Sequence, residues 1–243
     1  MLPVNVTHMS PTPLHELPAW LDVAAMAVAA AFGAHVARTM RIPLFGVLLA
    51  GVIGGLGGGM ARDVLLGLEP VAITTWYYIP AVLAAAIIGG LAARQVSISP
   101  LPFVAAQAIA AGLLIGIGVQ KAVEYRAPPA SAIFLGVVAA TFGGAADDML
   151  AGRRAAIMRE DHWLLPVIVC GAVVFWLVTT YIAFYPAVVI TVVVVTALRV
   201  LSVRLRWTSP VFPGDDLHSA GADQQAPRDA PLRNRSTSEK GKL

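Results

Sequence analysis

The sequence predicts an all-α polytopic membrane protein: seven transmembrane helices, arranged as two inverted three-helix repeats plus one extra helix. Three observations carry that expectation. Of the 243 residues, 58% are hydrophobic and 13% charged, and the mean hydropathy is +0.75; soluble domains carry about 25% charged residues. Apolar runs of roughly 20 residues, the length that crosses a bilayer as a helix, recur along the chain. The chain also resembles itself when shifted by 85 residues.

Residues 1–18 hold four prolines and little periodicity, and they read as an irregular lead. No Lys/Arg-rich segment precedes the first apolar run, so a cleaved signal peptide is not expected. Span one is expected over about Ala19 to Ala37, with Asp22 in its first turn, where the helix dipole favours an anion. His35 near its far end is either a pathway group or a packed histidine. Span two covers about Pro43 to Leu66, with Gly67 and Pro70 as its stop signals.

Trp76, Tyr77 and Tyr78 form an aromatic belt at the start of span three, which runs to about Ala93 and ends at Arg94. Pro100 and Pro102 open span four, about Leu101 to Val119. Its end is polar, with Gln120, Lys121, Glu124, Tyr125 and Arg126. Span five is about Ala130 to Leu150. The long apolar stretch from Trp163 to Val203 exceeds one span and is divided at Tyr181 to Pro186 into spans six and seven. Span seven, with Val192 to Val195, shows no polar face beyond Thr191 and Thr196 and is expected to pack against lipid. The resulting organisation is a transmembrane domain over 19–206, with repeat one at 19–94, repeat two at 101–182 and the extra helix at 184–205.

Residues 207–243 have the composition of a disordered tail; their five basic and five acidic residues cancel, so the net charge of +3 lies before Trp207. That basic excess reports orientation, and no nucleic-acid partner is expected. One set of loops and ends carries Arg38, Arg41, Arg94, Arg153, Arg154, Arg159, Arg199, Arg204 and Arg206. The opposite set carries only Lys121 and Arg126 if Arg62 is intramembrane. The positive-inside rule then places the N-terminus outside and the C-terminus in the cytoplasm, in an inner membrane.

The most informative stretch lies within span two, where Gly54, Gly55, Gly57, Gly58 and Gly59 are followed by Arg62 and Asp63. Each glycine costs a helix about 1 kcal/mol relative to alanine, and a charge near the bilayer centre costs about 3 kcal/mol or more. Residues four apart share a helix face, so Gly58 lies under Arg62 and Gly59 under Asp63. One reading is a bent or broken helix that frees carbonyls and walls a polar pathway. The other is a close helix contact of the small-xxx-small kind, capped by an interfacial ion pair.

The 85-residue shift lays Gly58 and Gly59 on Gly143 and Gly144, Arg62 and Asp63 on Asp147 and Asp148, Leu65 on Leu150, and Gly67 on Gly152. Three spans separate the copies, so the second inserts upside down. Inverted repeats place ion or substrate sites where their interrupted helices face each other. Spans two and five are therefore expected to line one pathway.

These residues also carry a family resemblance. The run from Gly57 through Met60, Arg62, Asp63, Gly67 and Pro70, the segment Gly118-Val119-Gln120-Lys121-Ala122, and Ala140 to Gly144 with Asp148, Leu150 and Gly152 resemble the prokaryotic trimeric intracellular cation (TRIC) channels. Those overlap with bacterial proteins labelled glycine-transporter domains, and the likeness covers about residues 19–205. It implies a homotrimer, each protomer with its own pore for potassium and related monovalent cations. It also implies glycine bends matching Gly57 to Gly59 and Gly143 to Gly144, and a basic fourth-helix residue matching Lys121. The family usually shows Arg-Asp in both copies. Here the second copy reads Asp147-Asp148, which makes that half more acidic.

On this basis the expected ion pathway comprises Gly57, Gly58, Gly59, Arg62, Asp63, Gly143, Gly144, Asp147 and Asp148, with Lys121, Glu124 and Arg62 as gating groups. Carboxylates near a mouth raise local cation concentration. The alternative is a secondary transporter of a small zwitterion such as glycine. An enzyme is not expected, nor is a cofactor or bound metal. Cys170 is the single cysteine, no Ser or Cys nucleophile has a base beside it, and His162 next to Asp161 and Trp163 reads as an interfacial anchor.

Overall fold

The computed structural model describes residues 18–95, 100–152, 155–158, 163–205 and 207. The expected irregular lead (1–17), Arg153, Arg154, Arg159, Asp161, His162, Arg206 and the tail from 208 onward lie outside the described residues. The elements among the described residues are all helices: α1 Ala19–Thr39, α2 Leu44–Leu65, α3 Val71–Thr74, α4 Tyr78–Gln95, α5 Pro100–Glu124, α6 Pro129–Leu150, a 3-10 turn Ala156–Met158, α7 Leu164–Tyr181 and α8 Phe184–Arg204. Six of these are long and apolar enough to cross a bilayer, and Tyr78–Ala93 within α4 is a shorter apolar segment. With α4 they make the seven spans.

Prolines set several starts. Pro18, Pro43, Pro70 and Pro128 immediately precede α1, α2, α3 and α6; a proline there lacks only an N–H that would have no intrahelical partner. The end of α2 closes with Gly67 N–H donating to the Val64 carbonyl at 3.0 Å and Leu68 N–H to the Asp63 carbonyl at 2.9 Å. That double closure requires a left-handed residue, and Gly67 has φ +72°.

The repeat is visible residue by residue. Gly152, 85 positions after Gly67, has φ +68°, while Arg41 and Arg126, related by the same shift, have φ +60° and +55°. Asp63 Oδ2 accepts the Val71 N–H at 3.1 Å, and Asp148 Oδ2 accepts the Ala156 N–H at 2.8 Å. Gly33 of α1 faces Ala50 and Gly51 of α2; Gly118 of α5 faces Leu135 and Gly136 of α6. Thus α1, α2 and α4 correspond to α5, α6 and α7, with α8 left over.

The two copies meet along α2 and α6. A Cβ at Gly54 would lie 3.8 Å from Asp147 Cβ, and one at Gly57 would lie 3.2 Å from Gly143 Cα. At Gly58 it would collide with the Ala139 carbonyl, and at Gly143 with the Gly54 carbonyl. Because the partner numbers fall as the α2 numbers rise, the helices cross antiparallel, which is what an inverted repeat demands.

Several expectations are corrected here. Both α2 and α6 run unbroken through their glycines, so no interruption frees carbonyls; the missing side chains let two backbones touch. The helix of span four runs on past Val119 to Glu124, so the polar end with Gln120, Lys121 and Glu124 forms the last turns of α5. Span three starts at Tyr78, after the separate short helix α3. Finally, α8 is not simply a lipid-facing helix. Ala187, Thr191, Val195, Arg199 and Ser202 form a buried stripe against α5 and α7: Gly112 abuts Val192, and Gly171 abuts Val195 and Thr191.

Candidate functional site

Two polar regions sit at opposite ends of the bundle. At the first, four helix ends bring charges together. Asp22 comes from the first turn of α1, Arg62 and Asp63 from the last turn of α2, Tyr78 from the start of α4 and Lys121 from the last turn of α5. Arg62 Nε donates to Asp63 Oδ1 at 2.8 Å and Nη1 to Asp22 Oδ1 at 3.4 Å. Lys121 Nζ donates to the same Asp63 Oδ1 at 2.8 Å, and the Tyr78 hydroxyl donates to Asp22 Oδ2 at 3.1 Å.

This cluster holds two cations and two carboxylates, so it is formally neutral, which is how charges persist at membrane depth. Arg62 and Asp63 are each 1% exposed, whereas the Lys121 side chain is 13% exposed. Arg62 is held by two carboxylates from two helices and Lys121 by one. Without Lys121, Arg62 would still have both its acceptors, Asp22 and Asp63. Lys121 also joins the second repeat to the first. Glu124, expected beside Lys121, accepts from Gln120 Nε2 at 3.2 Å, and Gln120 Oε1 in turn accepts from the Thr179 hydroxyl at 3.2 Å.

At the second end lies a cavity of about 340 Å³. Its polar lining includes Gln107, Thr141, Asp147, Asp148 and Arg199, and its apolar lining includes Phe32, Phe103, Leu114 and Ile168. The floor reaches Gly54, Ala139 and Gly143, the place where α2 crosses α6. A Cβ at Gly33 would lie 3.1 Å from Asp147 Oδ2, so that carboxylate faces the α1–α2 contact at the floor. Asp148 instead holds the 3-10 turn through Ala156.

Between the two regions the core is apolar. Ala25, Leu114 and Ile117 form a buried cluster with Ala140 packed against it. Leu114, on the cavity wall, and Lys121 are about 10 Å apart along α5 at 1.5 Å per residue.

The structure thus divides the expected site. Arg62, Asp63 and Lys121 come together at one end; Asp147 and Asp148 lie at the other; Gly57, Gly58 and Gly143 form the crossing between them. Gly59 packs against Met26, not α6, and a Cβ at Gly144 would meet nothing within 4 Å. Sequence reasoning missed three contributors. Asp22, expected as a dipole group, carries a charge inside an apolar span, and that charge is the signal for a buried partner. Tyr78, expected in an aromatic belt, is 2% exposed. Arg199, expected as a loop-end cation, is 4% exposed and lines the cavity.

A polytopic helical protein with an internal inverted repeat has recognisable relatives. The family described as "Glycine transporter" matches this chain twice, over residues 19–94 and 104–180. The UPF0126 inner membrane protein YadS of Escherichia coli K12 is 31% identical over 205 residues, covering 81% of this chain and 97% of that protein. A UPF0126 membrane protein of Deinococcus radiodurans is 25% identical over 206 residues, 84% of this chain and 95% of its own. Among solved structures, the TRIC trimeric intracellular cation channel orthologue from Rhodobacter sphaeroides superposes with a TM-score of 0.70 at 26% identity, covering 77% of this chain and 97% of that one. Another TRIC cation channel superposes at 0.69 with 23% identity, covering 81% and 97%. The chain belongs to the glycine-transporter family, which also takes in the UPF0126 inner membrane proteins and the TRIC-type channels. It is a multi-pass inner membrane protein.

Proposed function

We propose that this protein is a channel for monovalent cations, potassium among them, with a path inside each protomer along the α2–α6 crossing. The observation that carries the reading is the cavity, whose carboxylates Asp147 and Asp148 lead from one end to the glycine crossing. Beyond it lie the apolar layer of Ala25, Leu114 and Ile117 and then the Lys121–Asp63–Arg62 cluster. On this reading the structure is a shut conformation. Carboxylates concentrate cations in the cavity, the apolar layer excludes them, and opening requires the layer to part and Lys121 to release Asp63. The 26% identical neighbour is described as a trimeric cation channel, which supports a homotrimer here. The basic-residue count supports an N-terminus outside and a cytoplasmic cavity mouth.

The test is a planar-bilayer recording of purified protein under a potassium chloride gradient, with labelled glycine uptake in proteoliposomes alongside. Unitary currents reversing toward the potassium potential are expected, with Asp148→Asn lowering their conductance. The family's description favours a second reading, transport of glycine or a similar zwitterion: Asp147 and Arg199 line one cavity and offer opposite charges. Saturable glycine uptake without unitary currents would select that reading.

A further inference from the structure

We propose that the cavity at the Asp148 end is a binding site for hydrophobic monovalent ammonium ions, with Asp147 as the counter-charge for the ammonium head. The proposal deepens the channel reading and rests on it for its consequence, block of the path from this side, but not for the binding itself.

Two independent observations meet here. The first is a half-open cavity with apolar and aromatic walls: at about 340 Å³ it lies at the lower end of the roughly 300–1,000 Å³ of small-molecule sites. Phe32 and Phe103 stand edge to face in its wall with centroids 5.3 Å apart, and Ile168 and Val195 line it from α7 and α8. The second is charge. Asp147, 6% exposed, turns its carboxylate to the floor beside Gly33 and Gly54. Asp148 also lines the cavity, so the described lining holds two carboxylates against one guanidinium, Arg199.

A hydrated alkali ion gains nothing from the apolar walls. An alkylammonium ion gains twice: its hydrocarbon leaves water at about 25 cal/mol per Å², and its head meets a desolvated carboxylate with aromatic rings in the same cavity. The shift of 85 residues relates this site to the ion cluster. The counterparts of Asp147, Gln107 and Val36 at the other end are Arg62, Asp22 and Lys121, and there they are joined in the ion cluster through Asp63.

The experiment is titration calorimetry of hexylammonium chloride into full-length detergent-solubilised protein, with hexanol as the uncharged control. Saturable binding of hexylammonium is expected, at least tenfold tighter than hexanol. Asp147→Asn should weaken it at least tenfold and bring it close to hexanol. Val104→Trp, which fills the cavity and leaves the charge, should weaken both ligands. Equal affinity for hexylammonium and hexanol, or hexylammonium binding unchanged in Asp147→Asn and Val104→Trp, would overturn the proposal. Because calorimetry needs no current, binding without channel activity would remove the channel reading and leave this one standing.

Discussion

Alanine substitution at Gly58 and at Gly144 should move stability in opposite directions, although both glycines belong to the doubled motif. Both sit inside continuous helices, so each replacement gains the same helix propensity, about 1 kcal/mol. At Gly144 the new methyl meets nothing within 4 Å, and the gain should be realised. At Gly58 the methyl collides with the Ala139 carbonyl and would lie 3.0 Å from its carbon. Backbone cannot rotate away, so α2 and α6 must separate by on the order of 1 Å to restore ordinary contact distances. Overpacking of this kind costs about 1–3 kcal/mol. Because the propensity terms cancel between the variants, their difference reports that steric cost. At about 2–4 °C per kcal/mol for a chain of this size, Gly58→Ala should melt several degrees below Gly144→Ala in a thermal unfolding assay of detergent-solubilised protein. A Gly58→Ala protein as stable as Gly144→Ala would refute the close crossing.

Other consequences concern the ion cluster and the helix ends. Asp63→Asn removes the negative charge that Arg62 and Lys121 share and should destabilise by about 3–5 kcal/mol. Lys121→Met should cost less, because Arg62 retains Asp63 and Asp22. A double-mutant cycle on Asp63 and Lys121 by chemical denaturation should give a coupling of about 0.5–3 kcal/mol; zero coupling would contradict the 2.8 Å pair. Tyr78→Phe removes one hydrogen bond to Asp22 and should cost about 1 kcal/mol in the same assay. Arg126 holds φ +55° at the end of α5, so Arg126→Gly should raise stability by about 1 kcal/mol.

The helices were legible because a bilayer imposes length and apolarity on every span, and proline and glycine mark the ends. The repeat was legible because the same turn needs the same residues, as Gly67 with Gly152 and Asp63 with Asp148 illustrate. Faces were not legible. The valines of α8 look alike to lipid and to protein, since both are apolar, so the buried stripe was marked in the sequence only by Thr191, Arg199 and Ser202. Long-range partners were hidden too: Arg62 finds Asp22 across 40 positions, and Lys121 finds Asp63 across 58. The glycines announced something costly at the right place but not its form, because a bend and a backbone contact both demand a missing side chain.

The central claim, passage of cations along the cavity to the α2–α6 crossing, is tested most directly by modifying two neighbouring positions of α6. Thr141 lines the cavity, whereas Phe142 is 52% exposed on the outer surface of the bundle. In a Cys170→Ser background, Thr141→Cys and Phe142→Cys channels would be recorded in planar bilayers while a cationic thiosulfonate is added from the cavity side. The account predicts that the current through Thr141→Cys falls irreversibly and that through Phe142→Cys persists. Block at Phe142→Cys with Thr141→Cys unaffected would contradict it.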